Sequence, residues 1–407
     1  MVSKFLRSKV VRFGAAMVLA LSVLVAGGCG GSGGDSKDAG KQDQVGEAKF
    51  GSISALSGGG AVYSGWFKRG MDMAVEEING AGGITVKGKK YMLKPIHEDS
   101  QGRTEVTASV GQRLVNQDKV PVILTGSSND AFALMAFNQK KGSEFVLMGV
   151  SQSDKFTEQG NKLVVRICAN AVVAMPEFVD RIFKFYDRKN IKYETFAIMQ
   201  VNTETGSAWA GAFEKAVKAK GKKVVGTESY ASNDTNFYNQ LTNLISKNPD
   251  VIVLTTVTTT SSIAIKQARE LGFKGNFINS AAANAAEHIK LAGSDTSKIE
   301  NLVCETSIAG LGITPEVKAT KEKILAKWKE EPNSVFYLSY DGTKIMARAM
   351  EIAGTVSDPV AIRAAMPQAF KDAKPVTAMK DLDEKGEILY PAFVMAVEGG
   401  KSVGYHE

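Results

Sequence analysis

From residue 50 onward, short apolar runs alternate with longer stretches whose apolar residues recur every three or four positions. The runs at 50–56, 92–99, 121–125, 145–150 and 163–168 predict one series of strands. A second series follows at 195–201, 224–230, 251–256, 276–280 and 302–305. Between them lie amphipathic stretches such as 66–79, where Met71, Val75 and Ile78 share one helical face. Continuous apolar strands alternating with helices imply parallel sheets covered on both faces. Two such series imply an α/β protein of two doubly wound lobes, with ligands bound beyond the carboxyl ends of the strands. The tail reads differently. It predicts helices over 335–353 and 359–370, a polar turn at 381–387, and a hairpin entered by 393–397 and turning at Gly399 and Gly400.

The N-terminus carries Lys4, Arg7, Lys9 and Arg12 with no acid, followed by an uncharged run over 13–28 rich in Ala, Val and Leu. Such a run spans only about 24 Å as a helix, against roughly 30 Å of hydrocarbon in a bilayer. With its basic flank, 1–28 is a signal peptide rather than a permanent span. It ends Val25-Ala26-Gly27-Gly28-Cys29, which resembles the bacterial lipoprotein lipobox, with Cys29 as the lipid acceptor and Ala26 where Leu is usual. Ordinary cleavage near Ala26 is the alternative. Residues 29–48 lack aromatics and read as the lipidated cysteine and a flexible tether.

The chain has 407 residues, 50 Lys+Arg against 43 Asp+Glu, and a net charge of +7. Four of those cations leave with the signal peptide, so the mature 379 residues carry 46 against 43. The apparent nucleic-acid signal is therefore partly an export label, and no aromatic-lined basic groove accompanies it. Three histidines, His97, His288 and His406, lie far apart, which argues against a multi-His metal enzyme. No GxSxG occurs; Ala55-Leu56-Ser57-Gly58-Gly59 lacks the first glycine. The turn from Asp381 to Glu387 begins like a calcium loop, but Lys385 and Ala392 occupy ligand positions. A binder without metal or cofactor is expected, not an enzyme. With Cys29 lipidated, Cys168 and Cys304 remain, as two buried thiols or as a disulfide in an oxidising compartment.

The loops after the strands carry the candidate chemistry. The first, from Ala55 to Trp66, is glycine-rich and enters a helix. Tyr63 stands where a dinucleotide fingerprint needs its third glycine, so a phosphate cradle is disfavoured. Tyr63 and Trp66 instead offer apolar faces with polar tips to a small organic ligand. The third strand ends Gly126-Ser127-Ser128-Asn129-Asp130 before another helix. Free N–H groups and two hydroxyls there form a carboxylate site needing no basic residue, with Ser128 or Asn129 as the helix cap. The fourth strand ends Val150-Ser151-Gln152-Ser153, a second polar loop at the same edge.

The stretch 55–84, the Gly126-Ser127-Ser128 loop, the helix end Gln267-Ala268-Arg269-Glu270-Leu271-Gly272 and the closing Asp383-Glu384-Lys385-Gly386-Glu387 together resemble one family over 49–407. It is the leucine/isoleucine/valine-binding protein family, the branched-chain amino acid class of ABC-importer solute receptors. The resemblance implies the type I periplasmic-binding-protein fold, two doubly wound parallel-sheet lobes joined by three crossover strands. Lobe one is then 49–168 plus 305–388, and lobe two 169–304 plus 389–407. Cys168 and Cys304 fall at the first two crossovers, which run side by side in this fold; that is the case for a bridge.

Position by position, the resemblance matches the family's carboxylate-binding Ser to Ser127 and Ser128, and its aromatic residue to Tyr63. Val150 and Ser151 keep the backbone groups of the next loop, while Gln152 replaces a Thr. From lobe two the family uses two tyrosines and an acid that pairs with the ligand's ammonium. The matching positions here are Thr205, Val257 and Ala281. A buried ammonium without a carboxylate partner is costly. Either Glu204 supplies that charge, or the ligand has no α-ammonium and Thr203, Thr205, Thr255, Thr256 and Thr258 line its far side. The expected function is a monomeric, lipid-anchored solute-binding protein of an ABC importer. It faces the periplasm, or the exterior in a Gram-positive host, and closes on a branched-chain or hydrophobic amino acid or related carboxylate. Its partner is an ABC permease in the inner membrane. The alternatives are a receptor for an aromatic or aliphatic acid or an amide, and a sensory module with the same pocket.

Overall fold

The computed structural model describes residues 45–280 and 283–406. Residues 1–28, expected to be the signal peptide, together with Cys29 and Ala281, lie outside them. Strands β1 (Gly46–Ser54), β2 (Ile84–Val86), β3 (Lys89–Asp99), β4 (Val122–Thr125), β5 (Val146–Gly149) and β6 (Val164–Arg166) form one sheet in the order β2-β3-β1-β4-β5-β6. A second sheet contains β7 (Thr195–Val201), β8 (Lys223–Tyr230), β9 (Val251–Leu254), β10 (Asn276–Asn279), β11 (Val303–Thr306), β12 (Phe393–Glu398) and β13 (Lys401–Tyr405). Its order is β13-β12-β11-β10-β9-β7-β8. Pairing is parallel except where β2 meets β3 and where β12 meets β11 and β13. The fold is α/β, built on two doubly wound, mainly parallel sheets.

Each expected apolar run overlaps a strand. The sheet begins earlier than the tether assignment allows, because Gly46 already pairs with Tyr91 and Ala48 is buried. A small, weakly apolar lead-in carries no signal of its own; register with β3 recruits it. The three-residue β2 was not anticipated either, being too short to show an alternation.

Helices cover both faces of each sheet. Along β7, Phe196 and Ile198 enter one core while Ala197 and Met199 enter the other, as strand alternation requires. On the first sheet, helix Ala61–Gly80 packs against helix Ser334–Ala353. Gly70 permits that approach, since a Cβ there would lie 2.2 Å from the Phe336 carbonyl oxygen.

The chain passes between the sheets after β6, after β11 and before β12. Cys168 and Cys304 sit at the first two passages as free, buried thiols, so the bridge is not formed. The reason is strand alternation. Along β11, Val303 and Cys304 point into opposite cores of the second sheet, and Cys304 faces the one remote from Cys168, which joins the first sheet's core. Burial pushes the Cys168 thiol up to about 12 and raises Cys304 as well, which keeps both protonated and unreactive.

Candidate functional site

Strand order reverses at β1/β4 in the first sheet and at β7/β9 in the second. Loops leaving these strands diverge there and open a crevice. The two crevices face each other across a cavity of about 270 Å³. That lies near the lower end of small-molecule pockets, roughly 300–1,000 Å³, and suits one small ligand. The first sheet contributes Tyr63, Ser127, Ser128, Asn129, Val150 and Gln152; the second contributes Val201, Thr203, Thr205, Thr255, Thr256, Val257 and Ser280. The passages between them add Cys168, Ala169, Glu305, Thr306, Ser307 and Tyr390.

Trp66, Ser151 and Thr258, all expected at the ligand, do not line this space; Thr258 is buried and its hydroxyl accepts from the Asn284 amide at 2.9 Å. Trp66 is 6% exposed and packs edge-on against Trp328 and Phe336, with the Arg69 guanidinium 4.5 Å above its ring. It is a core residue of the first lobe. Ser151 is buried behind the wall, its carbonyl accepting from Arg166.

The first sheet's polar end is the N-terminus of helix Ser128–Met135. Ser127, rather than Ser128 or Asn129, is the cap: its Oγ accepts from the Asp130 amide at 3.2 Å and donates to the Asp130 carboxylate at 2.7 Å. Burial raises the Asp130 carboxyl, and hydrogen bonds from Thr107 and Ser127 offset part of that rise. The first intrahelical bond runs from Ala131 N–H to the Ser127 carbonyl at 3.0 Å. The Ser128 and Asn129 amides precede it, at a helix end whose first N–H groups have no intrahelical acceptor, and both residues border the cavity. Opposite, helix Glu204–Ala219 starts at Thr203, whose Oγ1 accepts from Gly206 N–H at 3.0 Å. The neighbouring Thr205 hydroxyl is buried with no hydrogen-bond partner and borders the cavity. Helix Thr258–Glu270 begins at Val257, also on the wall. Tyr63, Val150, Val201, Val257, Leu338 and Tyr390 supply apolar surface between these polar ends.

Glu204 turns away from the cavity. Its carboxylate meets Ser153 Oγ and Lys155 Nζ, each at 3.0 Å, and so ties one rim to the other. The acid on the cavity wall is Glu305. It is 3% exposed and accepts from Trp209 Nε1 at 2.6 Å and from Gln152 Nε2 at 3.2 Å. Sequence reasoning missed Glu305 and Tyr390. The available signal was an acid ending an apolar strand, where a side chain is either buried or at a sheet's functional edge.

The loop carrying Val150 and Gln152 is held from behind. Arg166, fully buried, donates to the Ser151 carbonyl, to the Ser153 carbonyl at 2.8 Å and to Thr157 Oγ1 at 3.1 Å. Its Nε donates to Glu387 Oε1 at 2.8 Å, and Glu387 also accepts from Asn170 and Thr157. The turn that began like a calcium loop thus serves as an anchor. Gly386 in it has φ 92°, and a Cβ there would meet the Val164 carbonyl oxygen at 2.2 Å. His288 is buried among Ser261, Ser262 and Asn279, and burial lowers its imidazole to about 3, which keeps it neutral.

Comparison with known proteins agrees with this architecture. Residues 47–401 match the family model described as periplasmic binding protein. The chain is 28% identical over 320 residues to the Leu/Ile/Val-binding protein homolog 8 of Brucella abortus, covering 75% of this chain and 76% of that one. Among solved structures it is similar to the branched-chain amino acid transporter substrate-binding protein LivJ of Streptococcus pneumoniae in complex with isoleucine. The TM-score is 0.74 at 23% identity, over 88% of this chain and 99% of that one. It is also similar to an ABC-transporter solute-binding protein of R. palustris in complex with benzoate, with a TM-score of 0.74 at 18% identity over 88% and 95% of the two chains. With its two doubly wound sheets and its cavity between facing strand ends, the chain belongs to the periplasmic binding protein family, in the branch of the leucine/isoleucine/valine-binding proteins.

Proposed function

We propose that this protein is the extracytoplasmic receptor of an ABC importer, tethered by a lipid on Cys29, which closes its two lobes over one small carboxylate with an apolar body. An amino acid of the branched-chain or hydrophobic type, or a related acid, meets that description. The observation that carries the reading is the cavity itself. A helix N-terminus with the Ser128 and Asn129 amides lies at one end, and apolar side chains from both lobes form the walls. Isoleucine in the S. pneumoniae protein and benzoate in the R. palustris protein share a carboxylate beside an apolar group.

Contacts between the lobes surround the cavity. Besides Glu204 with Ser153 and Lys155, Gln152 reaches Glu305, and Asn284 Nδ2 donates to the Pro332 carbonyl at 3.0 Å. A ligand that touches both lobes favours this closed arrangement, and closure is what a permease can sense.

A thermal-shift screen of the purified protein against amino acids, aromatic acids, aliphatic acids and amides tests the ligand class, since binding the folded state raises its stability. Small carboxylates should shift the transition and neutral amides should not. Ser128→Ala is expected to weaken the bound carboxylate by about 0.5–3 kcal/mol, with little change in unliganded stability. Ser127→Ala should do the reverse, costing about 0.5–2 kcal/mol of stability as a lost cap. Equal affinity for the amide and acid forms of one ligand would sink the anion-site reading.

A further inference from the structure

We propose that Glu305 is the counter-charge for a ligand ammonium, so that the cavity prefers amino acids to the same carbon skeleton carrying only a carboxylate. The inference rests on reading the cavity as a carboxylate-binding cleft, and it narrows that reading to one ligand class.

Among the described residues lining the cavity, Glu305 is the one whose side chain is ionised at neutral pH in its ordinary state. The rest of the wall is apolar, hydroxyl, amide or backbone. The lobe-two positions that the resemblance matches to the family's two tyrosines and its acid are Thr205, Val257 and Ala281, and none of the three residues carries a charge. The acid has a different address: Glu305, the penultimate residue of β11, where the chain leaves the second sheet for the first lobe. Alternation along β11 sends Cys304 to the far face and Glu305 toward Trp209 and the cavity.

Two donors among the described residues orient Glu305. Trp209 Nε1 and Gln152 Nε2 both donate, and neither accepts there, a pattern that an ionised carboxylate satisfies. Trp209 belongs to the second lobe's core and Gln152 to the loop after β5. The carboxylate is thereby oriented by both lobes in the closed arrangement. A ligand bearing only a carboxylate would bring a second negative charge into a small cavity that already holds one, and like charges in a poorly solvated space repel. A zwitterion avoids this: its carboxylate takes the Ser128 and Asn129 amides, and its ammonium takes Glu305.

The test uses matched pairs, leucine with 4-methylpentanoate and phenylalanine with 3-phenylpropanoate, plus benzoate, titrated calorimetrically into the purified protein and its Glu305→Gln variant. Gln keeps an acceptor for Trp209 while removing the charge. The unmodified protein should bind the tighter amino acid at least roughly 30-fold more strongly than its deaminated partner. Glu305→Gln should erase most of that preference by weakening the amino acid while leaving the acid unchanged or tighter. The proposal is overturned if the deaminated acid or benzoate binds as well as any amino acid, or if the variant weakens both members of a pair equally. The first comparison needs no variant, so a misfolded Glu305→Gln leaves the proposal exposed to refutation. Binding of none of these compounds would instead remove the carboxylate-cleft reading, and the Glu305 proposal with it.

Discussion

Glu387→Ala is expected to lower the unfolding free energy by about 3–5 kcal/mol, because it leaves a buried guanidinium without its carboxylate. Arg166 has no solvent-exposed side-chain surface, and its Nε lies 2.8 Å from Glu387 Oε1. Removing the acid also strands Thr157 and Asn170, which donate to it. The effect should extend to binding. Arg166 holds the carbonyls of Ser151 and Ser153, and a displaced Arg166 lets the loop carrying Val150 and Gln152 relax away from the cavity. Denaturant titration reads the first effect and ligand affinity the second. A loss below about 1 kcal/mol would show that solvent compensates the pair, as it does for exposed ion pairs.

Trp209→Ala should cost a comparable amount, about 3–5 kcal/mol, as a large buried aromatic lost from a packed core. Its ring is fully buried, stacked on Phe213 at 5.4 Å and edge-on to Phe178 at 6.2 Å. Trp209→Phe separates packing from hydrogen bonding. It keeps most of the aromatic contact but removes the Nε1 donor to Glu305, and should cost about 1.5–3 kcal/mol for a lost bond to a charged group. Thermal or denaturant unfolding of both variants checks the order. If Trp209→Phe is as stable as the parent, the bond to Glu305 has no structural weight.

What the sequence made legible was whatever local periodicity encodes. The strands announced themselves as apolar runs, and the glycine-rich, Ser-rich and Gln-containing loops fell at strand ends, where an α/β sheet puts its ligand. Tyr63, Ser127, Ser128, Val150, Gln152, Thr205 and Val257 lie together around one cavity for that reason. Long-range packing was not legible. Nothing within helix Ala61–Gly80 reveals that Trp66, one turn after Tyr63, is claimed by Trp328 and Phe336 from the far end of the chain. Of the two readings of the cysteines, buried thiols or a bridge, the structure has the buried thiols, because a one-residue step in β11 decides which face Cys304 meets. Glu305 and Glu387 were hidden for a related cause. Each is an acid whose partners, Trp209 and Gln152 for one and Arg166 for the other, come from distant segments.

The most direct test of the account is a crystal structure with the tightest ligand from the thermal-shift screen. The prediction is a single molecule between the two sheets, its carboxylate within hydrogen-bonding distance of the Ser128 and Asn129 amides and its apolar group against Tyr63, Val150 and Val257. A ligand held by one lobe alone, or with its carboxylate turned away from the helix Ser128–Met135, would contradict it.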